Sequence, residues 1–355
     1  MLVNKNLIIK VVGIILLLIL VFFTISTIFS QHDIIEDDDT KPDLVAQFTI
    51  YDLYDRGLDS TFKKLKEDGY SIVIVQVFPD NEQGVFWDSK IAPVNEDLLK
   101  NAVTSAHSNG LKIWAWAKTL DTLWLYDDND EWKVKALESD GYTYETGWYK
   151  RISPCVDEHI LYLKKLFREI VTDYEIDGIL LQDDLYLGGN EDFSETCREK
   201  YLSDFGEELS KDVLMKDNYN VFSTWRTGYI TNVISEIGNE IKSVRPEIKL
   251  AVNIYPSCVT NMQECLNDNS QNVSEIVKYA DYIVLMAYHK LDGKSVNWIS
   301  EITTGAIAIA GKEKVIIKLQ TVDWSTGNKL DNDEMKHAID TSTSSGAEIV
   351  AFFPS

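Results

Sequence analysis

After residue 44 the chain alternates between short apolar runs and longer amphipathic segments, and this alternation restricts the possible folds more than any other feature. The apolar runs are rich in β-branched and aromatic residues and are almost continuously hydrophobic. Such runs are typical of parallel strands covered on both faces. Eight strands are predicted, at residues 45–51, 71–78, 112–118, 177–183, 249–255, 281–288, 314–320 and 348–353.

The segments between these runs have helical spacing. In residues 157–174, Ile160, Leu163, Phe167 and Ile170 fall on one face, as in a helix packed on a sheet. Eight strand-then-helix units predict an α/β fold, a (β/α)8 TIM-like barrel over residues 44–355. A doubly wound open sheet is the alternative, but no Gly-rich phosphate turn follows the first strand. Further helices are predicted at residues 59–68, 95–107 (capped by Asn95), 272–279, 295–310 and 332–345, with two more inside 184–248.

The fourth predicted strand ends in two adjacent carboxylates, in the sequence IDGILLQDD at residues 176–184. Burying an unpaired carboxylate is costly, so the chain should leave the core at Asp183 and Asp184. In a TIM barrel the reacting groups lie at the C-terminal ends of the strands. Asp183, Asp184 and Glu191, on the following loop, are therefore the candidate catalytic residues. Since successive strand residues point to opposite faces, Asp183 and Asp184 should share one cavity only if the backbone has already turned.

The other predicted strand ends carry aromatic, amide and acidic side chains. Aromatic faces can stack on sugar rings, amides and acids can bind hydroxyls, and carboxylates can catalyse glycoside hydrolysis. No Ser-His-Asp order, P-loop or HExxH motif competes with this interpretation. Each residue alone could be a core or turn residue, so the prediction depends on their shared position. The candidate substrate-binding residues are Asp55, Gln76, Trp87, Trp114, Trp116, Lys118, Asp192, Asn253, Tyr255, Tyr288, His289, Gln320, Asp323 and Trp324.

For glycoside hydrolysis the predicted roles differ among the acids. Asp184 or Glu191 would be the general acid, because neighbouring carboxylates cannot all ionise cheaply. Asp183 would position the sugar or stabilise oxocarbenium charge. Asp323 could supply a second carboxylate across the mouth of the barrel.

Several motifs resemble the C-terminal glycoside-hydrolase domain of the PgaB-type proteins. They are VQVF (75–78), IWAWAK (113–118), RISPCVD (151–157), DGILLQDD (177–184) with NED (190–192), NIYP (253–256), IVLMAY (283–288) and LQTVDW (319–324). Gln182 replaces the family's histidine, and Val252 replaces its arginine. In the acidic pattern of the family's first strand, only Tyr54 and Asp55 match.

The resemblance implies endo-hydrolysis of partly deacetylated poly-β-1,6-N-acetyl-D-glucosamine, a biofilm exopolysaccharide, by Asp183, Asp184 and Glu191. No counterpart of the family's deacetylase domain is expected, because only an apolar segment and a linker precede the predicted barrel. The alternative is a non-catalytic glycan-binding barrel in exopolysaccharide export or matrix organisation. A cation-dependent hydrolase is less favoured because no His-rich ligand set accompanies the acids, so no metal or cofactor is expected.

Residues 7–29 form an apolar run long enough to cross a bilayer, where about 20 residues are needed. Lys5 and Lys10 lie towards its N-terminal side and EDDD (36–39) follows it, which predicts a cytoplasmic N-terminus and an extracytoplasmic barrel. We expect an uncleaved single-pass transmembrane anchor at residues 1–30 and an acidic linker at 31–43. Secretion after signal cleavage is the alternative.

The formal net charge is -23, which makes nucleic-acid binding improbable because phosphate backbones would be repelled. The expected partners are therefore a polysaccharide and, through residues 7–29, a lipid bilayer. The sequence leaves protein partners open. The four cysteines have no CxxC spacing, so they are expected to be structural, either free or in disulfides.

Overall fold

The computed structural model describes residues 41–79, 83–139, 141–144 and 149–355, apart from the side chains of residues 144, 216 and 217. Eight parallel strands close into a barrel in chain order, and the last strand pairs with the first. The predicted barrel is therefore confirmed. The strands are β1 (Asp43–Phe48), β2 (Tyr70–Gln76), β3 (Lys112–Ala117), β4 (Gly178–Leu181), β5 (Lys249–Ile254), β6 (Tyr282–Ala287), β7 (Val315–Gln320) and β8 (Ile349–Phe353).

Helices connect the strands, and the insertion after β4 contains two longer helices, as predicted. The helices are α1 (Ile50–Arg56), α2 (Leu58–Glu67), α3 (Leu99–Ser108), α4 (Leu123–Asp128), α5 (Asp157–Asp173), α6 (Glu195–Phe205), α7 (Lys216–Val244), α8 (Ser257–Thr260), α9 (Met262–Asp268), α10 (Val273–Ile276), α11 (Trp298–Ala310) and α12 (Asn332–Ser344). Short 3-10 helices lie at Asp130–Trp132, Lys211–Leu214 and Lys312–Lys314. Two hairpins pair Lys135–Glu138 with Gly141–Tyr144 and Val322–Asp323 with Asn328–Lys329.

Several predicted element boundaries are wrong, among them the end of β1 and the start of α3. β1 ends at Phe48 because Thr49 caps α1, its side chain accepting a hydrogen bond from the Asp52 amide at 3.2 Å. The predicted helix cap at Asn95 is replaced by Leu98, and α3 begins at Leu99. The Asn95 side chain instead donates to the Gly84 carbonyl at 3.1 Å.

The barrel interior is filled by side chains from alternate strand positions, as the two-residue period of a strand requires. Gly178 allows the Trp114 ring to pack closely against the backbone of β4, because a Cβ at position 178 would lie 2.8 Å from atoms of that ring. A second core lies between the barrel and the helices, where the predicted stripe of α5 is buried. The interior apolar residues are Val45, Ile72, Ile74, Trp114, Trp116, Leu180, Ala251, Val284, Ile316 and Ala351.

All four cysteines form disulfides, so the paired alternative is correct. Cys155–Cys197 joins the segment before α5 to the first turn of α6, with a Cα–Cα distance of 5.3 Å. Cys258–Cys265 joins α8 to α9, with a Cα–Cα distance of 4.7 Å.

The predicted transmembrane segment at residues 7–29 and nearly all of the linker at 31–43 lie outside the described residues. Among the residues that are described, no helix combines the length and the apolar character needed for a bilayer crossing.

Candidate active site at the barrel mouth

The mouth, the C-terminal end of the barrel interior, is lined by polar side chains. They lie two residues beyond interior apolar residues of their own strands, so the pleat directs them into the same interior. A polar layer therefore sits directly above the apolar layer. Its members are Gln47, Gln76, Gln182, Asn253 and Lys318, all of them buried.

Asp183 lies just beyond the end of β4 and is partly exposed at this mouth. The Tyr149 hydroxyl donates to its carboxylate Oδ2 at 3.2 Å, and the Tyr255 hydroxyl donates to its backbone carbonyl at 2.9 Å. Burial, reinforced by the Asp183 charge, raises the pKa of both Tyr255 and Tyr288. Asp183 is thus a carboxylate at the predicted strand end, with one tyrosine hydroxyl bonded to its side chain and another to its backbone carbonyl.

Lys318 brings a buried cation to the same place. Its ammonium donates to Asn253 Oδ1 at 2.6 Å, and it lies 5.8 Å from the centre of the Tyr288 ring. Burial lowers the pKa of Lys318 to about 8, and the Asp183 charge opposes that shift. The mouth therefore holds a buried amine whose charged form is favoured by a nearby carboxylate.

Aromatic rings form one wall of the mouth. Trp324 is 39% exposed and meets Tyr288 edge to face, with ring centroids 5.0 Å apart. The Phe353 ring centroid lies 5.3 Å from that of Trp116 and 6.3 Å from that of Trp324. Phe353 therefore connects the buried Trp116 ring to the exposed Trp324 ring. Trp324 is the member of this wall with a face available to a sugar ring.

Asp184 points away from the mouth, because the backbone turns at residues 183 and 184, just after β4. It is fully buried, and its carboxylate accepts hydrogen bonds from the Thr119 and Asp121 amides at 2.8 Å each and from the Thr119 hydroxyl at 3.2 Å. Burial raises the pKa of Asp184 to about 7. The expected rise in pKa is present, but desolvation is its main cause, and the carboxylate organises the loop after β3.

Glu191 is also directed elsewhere. It is 5% exposed, forms a bidentate ion pair with Arg151 Nη2 at 3.0 and 2.8 Å, and accepts from the Gly188 amide at 2.7 Å. The Arg151 guanidinium also donates to the Tyr186 carbonyl and lies 3.8 Å from the centre of the Tyr186 ring. The structure therefore does not bring the three predicted acids into one groove, because Asp184 and Glu191 hold loops.

Asp192 is buried beside the Cys155–Cys197 disulfide rather than in the mouth. Its carboxylate accepts from the Ser194 amide at 2.8 Å and the Lys135 amide at 3.2 Å, and burial raises its pKa. Asp192 and the two sulfurs are close enough to resemble a metal-ligand group. Because both sulfurs are in the disulfide, they cannot bind a metal as thiolates.

Two of the predicted tryptophan platforms are core residues. Trp87 is 1% exposed, and its Nε1 donates to Glu169 of α5 at 3.3 Å. Trp114 is 1% exposed and packs in the deep interior layer against Tyr282, with centroids 5.5 Å apart. Neither indole can stack on a sugar in this conformation.

Three polar candidates at the strand ends mainly fix loops. Lys118 is buried and pairs with Asp121 at 3.3 Å. His289 Nε2 lies 3.0 Å from Glu334 of α12. The Gln320 side chain accepts from the Lys290 amide at 2.8 Å and donates to the Val322 carbonyl at 2.7 Å.

The remaining two candidate acids lie on surface elements. Asp323 belongs to a hairpin turn, where its carboxylate accepts from the Ser325 amide at 2.9 Å and hydroxyl at 2.6 Å, and these bonds lower its pKa. Asp55 is an exposed residue of helix α1, since β1 ends earlier than expected. Their contacts are those of turn and helix surfaces.

Sequence reasoning missed four residues of the mouth. Lys318 and Gln47 follow interior apolar residues by two positions, so strand periodicity could have identified them. Tyr149 and Tyr186 lie on loops, and nothing in their local sequence indicates that they approach Asp183 or Tyr255.

A closed parallel barrel with a carboxylate, a buried amine and aromatic rings at the C-terminal ends of its strands has the architecture of a TIM-barrel glycoside hydrolase. The family comparison agrees with that class. The chain belongs to hypothetical glycosyl hydrolase family 13, whose family model matches residues 50–353.

Two curated relatives are similar in sequence. The poly-β-1,6-N-acetyl-D-glucosamine N-deacetylase of Escherichia coli (strain K12) is 24% identical over 318 residues, covering 84% of this chain and 47% of that protein. The glycosyl hydrolase DigH of Escherichia coli O6:H1 is 23% identical over 217 residues, covering 53% of this chain and 45% of that protein. The chain therefore spans about half the length of the curated relatives it matches.

Solved structures share the fold. The PgaB (BpsB) glycoside hydrolase domain from Bordetella bronchiseptica superimposes with a TM-score of 0.77 at 18% identity, covering 88% of this chain and 94% of that domain. The β-galactosidase from Marinomonas ef1 gives a TM-score of 0.65 at 12% identity, covering 88% of this chain and 54% of that one. Together with the family match, the first of these confirms the resemblance to a PgaB-type glycoside-hydrolase domain.

Proposed function

We propose that this chain is a glycoside hydrolase acting on an amino-sugar polysaccharide, such as partly deacetylated poly-β-1,6-N-acetyl-D-glucosamine, with Asp183 as its central carboxylate. The observation that carries the proposal is the position of Asp183 in the barrel mouth, beside the Tyr149 hydroxyl and within the electrostatic reach of Lys318. The choice of polymer is supported by the substrate named for the Escherichia coli relative.

The neighbours of Asp183 suit it to a charged role. A hydrogen bond from Tyr149 and the nearby Lys318 ammonium both stabilise a negative carboxylate. An ionised carboxylate beside a sugar ring can stabilise the positive charge that develops in an oxocarbenium-like transition state. Trp324, the exposed ring of the aromatic wall, would support the sugar chain at the rim.

The test is Asp183→Asn in the full-length protein, assayed for product release from partly deacetylated polymer. We expect turnover to fall at least about a hundredfold, the scale of removing one essential acid–base or electrostatic group. Asp323→Asn, which removes an acid from a surface turn, is the matched control and should keep near-normal turnover. Unchanged turnover in Asp183→Asn would contradict the assignment.

A non-catalytic glycan-binding barrel is the second candidate. It is favoured by one observation: of the three predicted catalytic acids, Asp184 and Glu191 are committed to loop contacts, and Asp183 alone of these three faces the mouth. Polymer binding without any product from the wild-type protein, across a panel of surface polysaccharides, would establish this alternative.

We also propose that the barrel is held outside the cytoplasm by a membrane anchor at residues 7–29. The two disulfides support an oxidising compartment, since disulfides rarely persist in the cytosol. Protease treatment of intact cells should digest the barrel, and the chain should remain with membranes after carbonate washing. Release of a shortened chain into the medium would instead indicate signal cleavage.

A further inference from the structure

Helices α6 and α7, in the insertion after β4, carry an unusual concentration of exposed apolar side chains. Leu202 is 46% exposed, Phe205 39% and Val221 49%. Singly exposed apolar residues are common on protein surfaces, but a contiguous group usually marks an interaction site. Ring contacts join Phe205 to Trp225 of α7 and Trp225 to Tyr229, and helical spacing places Leu202 beside Phe205 and Val221 beside Trp225. We call the surface formed by these five residues the aromatic patch.

The rings of the patch hold one another in place. The Trp225 centroid lies 5.1 Å from that of Tyr201, 4.9 Å from that of Tyr229 and 6.3 Å from that of Phe205. Tyr201 and Phe205 lie 4.5 Å apart. Such edge-to-face and tilted contacts fix the orientation of the rings, so the exposed part of Phe205 is presented rigidly rather than by a mobile side chain.

Carboxylates surround these rings. Asp204 accepts from Trp225 Nε1 at 2.8 Å and from the Tyr229 hydroxyl at 3.5 Å. Burial and then the Asp204 charge raise the pKa of Tyr229 to about 12, while burial and then the Glu207 charge raise the pKa of Tyr201. Glu208 lines a cleft of about 150 Å³ together with Leu202. Two cations lie nearby: the Lys200 ammonium is 5.6 Å from the centre of the Tyr229 ring and is paired with Asp157 at 2.6 Å, and Arg198 lines the same cleft as Glu208. The patch is therefore apolar, and carboxylates outnumber the cations beside it.

The aromatic rings and carboxylates of the patch favour cationic ligands over anionic ones. Aromatic faces bordered by carboxylates attract organic ammonium groups through cation–π and Coulomb interactions. Anionic lipid headgroups and phosphate backbones would be repelled by the same carboxylates. A sugar polymer with some free amines offers both an apolar ring face and an ammonium group.

We propose that the aromatic patch is a second polysaccharide-binding surface, separate from the mouth, which holds an ammonium-bearing stretch of the polymer. The identity of the polymer rests on the proposed function, whereas the existence of the surface does not. The segment of residues 184–194 separates Asp183 from α6, and Phe205 is the last residue of that 11-residue helix, which is about 16 Å long at about 1.5 Å per residue. We therefore expect the surface to serve long chains rather than short oligosaccharides.

The test compares Phe205→Ala with the parent protein, both carrying Asp183→Asn so that the polymer is not consumed. The probes are long, partly deacetylated poly-β-1,6-N-acetyl-D-glucosamine and a short oligosaccharide of the same sugars. We expect about tenfold weaker binding of the long polymer, the loss that corresponds to about 1.4 kcal/mol, and unchanged binding of the short one. Phe205→Tyr should restore binding, since it keeps an aromatic face.

Leu161→Ala is the matched control, because Leu161 is 52% exposed on α5, outside the patch. Thermal unfolding of each variant checks that the fold is intact. Equal affinity of Phe205→Ala and its parent for the long polymer would overturn the proposal, as would equal affinity of the parent for fully acetylated polymer. Phe205-dependent binding to phosphatidylserine vesicles instead of polymer would also overturn it. If the protein proves inactive but Phe205→Ala still weakens polymer binding, the proposed catalysis fails and the binding surface stands.

Discussion

Replacing Glu191 by Gln should make the protein easier to unfold. It should not remove a catalytic group. The substitution keeps the size of the side chain and an acceptor for the Gly188 amide, now 2.7 Å away. It removes the negative charge that faces Arg151 in a bidentate pair at 3.0 and 2.8 Å. Arg151 would then stay charged in the interior, since guanidinium groups do not deprotonate there.

The size of the effect follows from burial. Arg151 is fully buried and Glu191 is 5% exposed, so water cannot solvate the abandoned cation without local rearrangement. Removing one partner of a buried ion pair typically costs about 3–5 kcal/mol. The Tyr186 carbonyl still accepts from the guanidinium, which places our expectation at the lower end, about 3 kcal/mol.

Urea unfolding followed by circular dichroism measures this change. Asp68→Asn is the control, because its pair with Lys64 is exposed and an exposed pair contributes about 0–1 kcal/mol. We expect Glu191→Gln to lower the urea midpoint clearly, and the folded variant to retain turnover to the extent that it remains folded. An unchanged midpoint together with lost turnover would refute the structural role and restore Glu191 as a catalytic acid.

Two further predictions concern Asp184 and the tryptophans. Burial raises the pKa of Asp184 from 3.8 to about 7. Between about pH 4 and 7 the folded state therefore keeps a proton on Asp184 that the unfolded chain has released. As the pH rises through this range, Asp184 lowers the free energy of unfolding. Asp184→Asn keeps an acceptor for the Thr119 and Asp121 amides and should flatten that dependence between about pH 4 and 7; an equally steep urea-unfolding profile over this range would contradict it. Trp324→Ala should raise KM for polymer with little change in the free energy of unfolding, because Trp324 is exposed at the rim. Trp87→Ala should lower the free energy of unfolding by about 3–5 kcal/mol, because Trp87 is a buried core residue. Equal unfolding midpoints for the two variants would contradict the assignment of Trp87 to the core and Trp324 to the binding surface.

The barrel could be predicted because its strands are buried on both faces and therefore have a distinctive composition. Runs such as SIVIVQVF contain too few polar residues for a half-exposed strand. The end of β1 could not be predicted in the same way. The β-branched and aromatic residues around Thr49 favour a strand, whereas Thr49 itself can cap a helix. The hydrogen bond from the Asp52 amide to the Thr49 side chain stabilises the cap, so the strand ends at Phe48.

The candidate site was predictable only where strand geometry determines direction. The two-residue period, applied to β7, would have placed Lys318 in the mouth. The same rule fails for Asp183 and Asp184, because the backbone turns at these residues and exchanges their directions. Glu191 lies on a loop, and its environment depends on Arg151, which is 40 residues earlier in the chain. No local pattern reports such a pairing, so an acid that holds a loop and an acid that faces a substrate look the same in the sequence.

Asp184 and Glu191, the two buried acids after β4, both hold loops in place. Asp184 fixes the loop after β3 through the Thr119 amide, and Glu191 fixes the Gly188 turn and, through Arg151, the chain beside Tyr186. These are loops that border the position of Asp183. A buried carboxylate whose oxygens are held by loop hydrogen bonds cannot reach a substrate in the mouth, but it is a rigid support, and precise placement of a reacting group depends on such support. Loss of activity in an Asp184 or Glu191 variant therefore identifies a catalytic acid only if the position of Asp183 and the stability of the fold are shown to be unchanged.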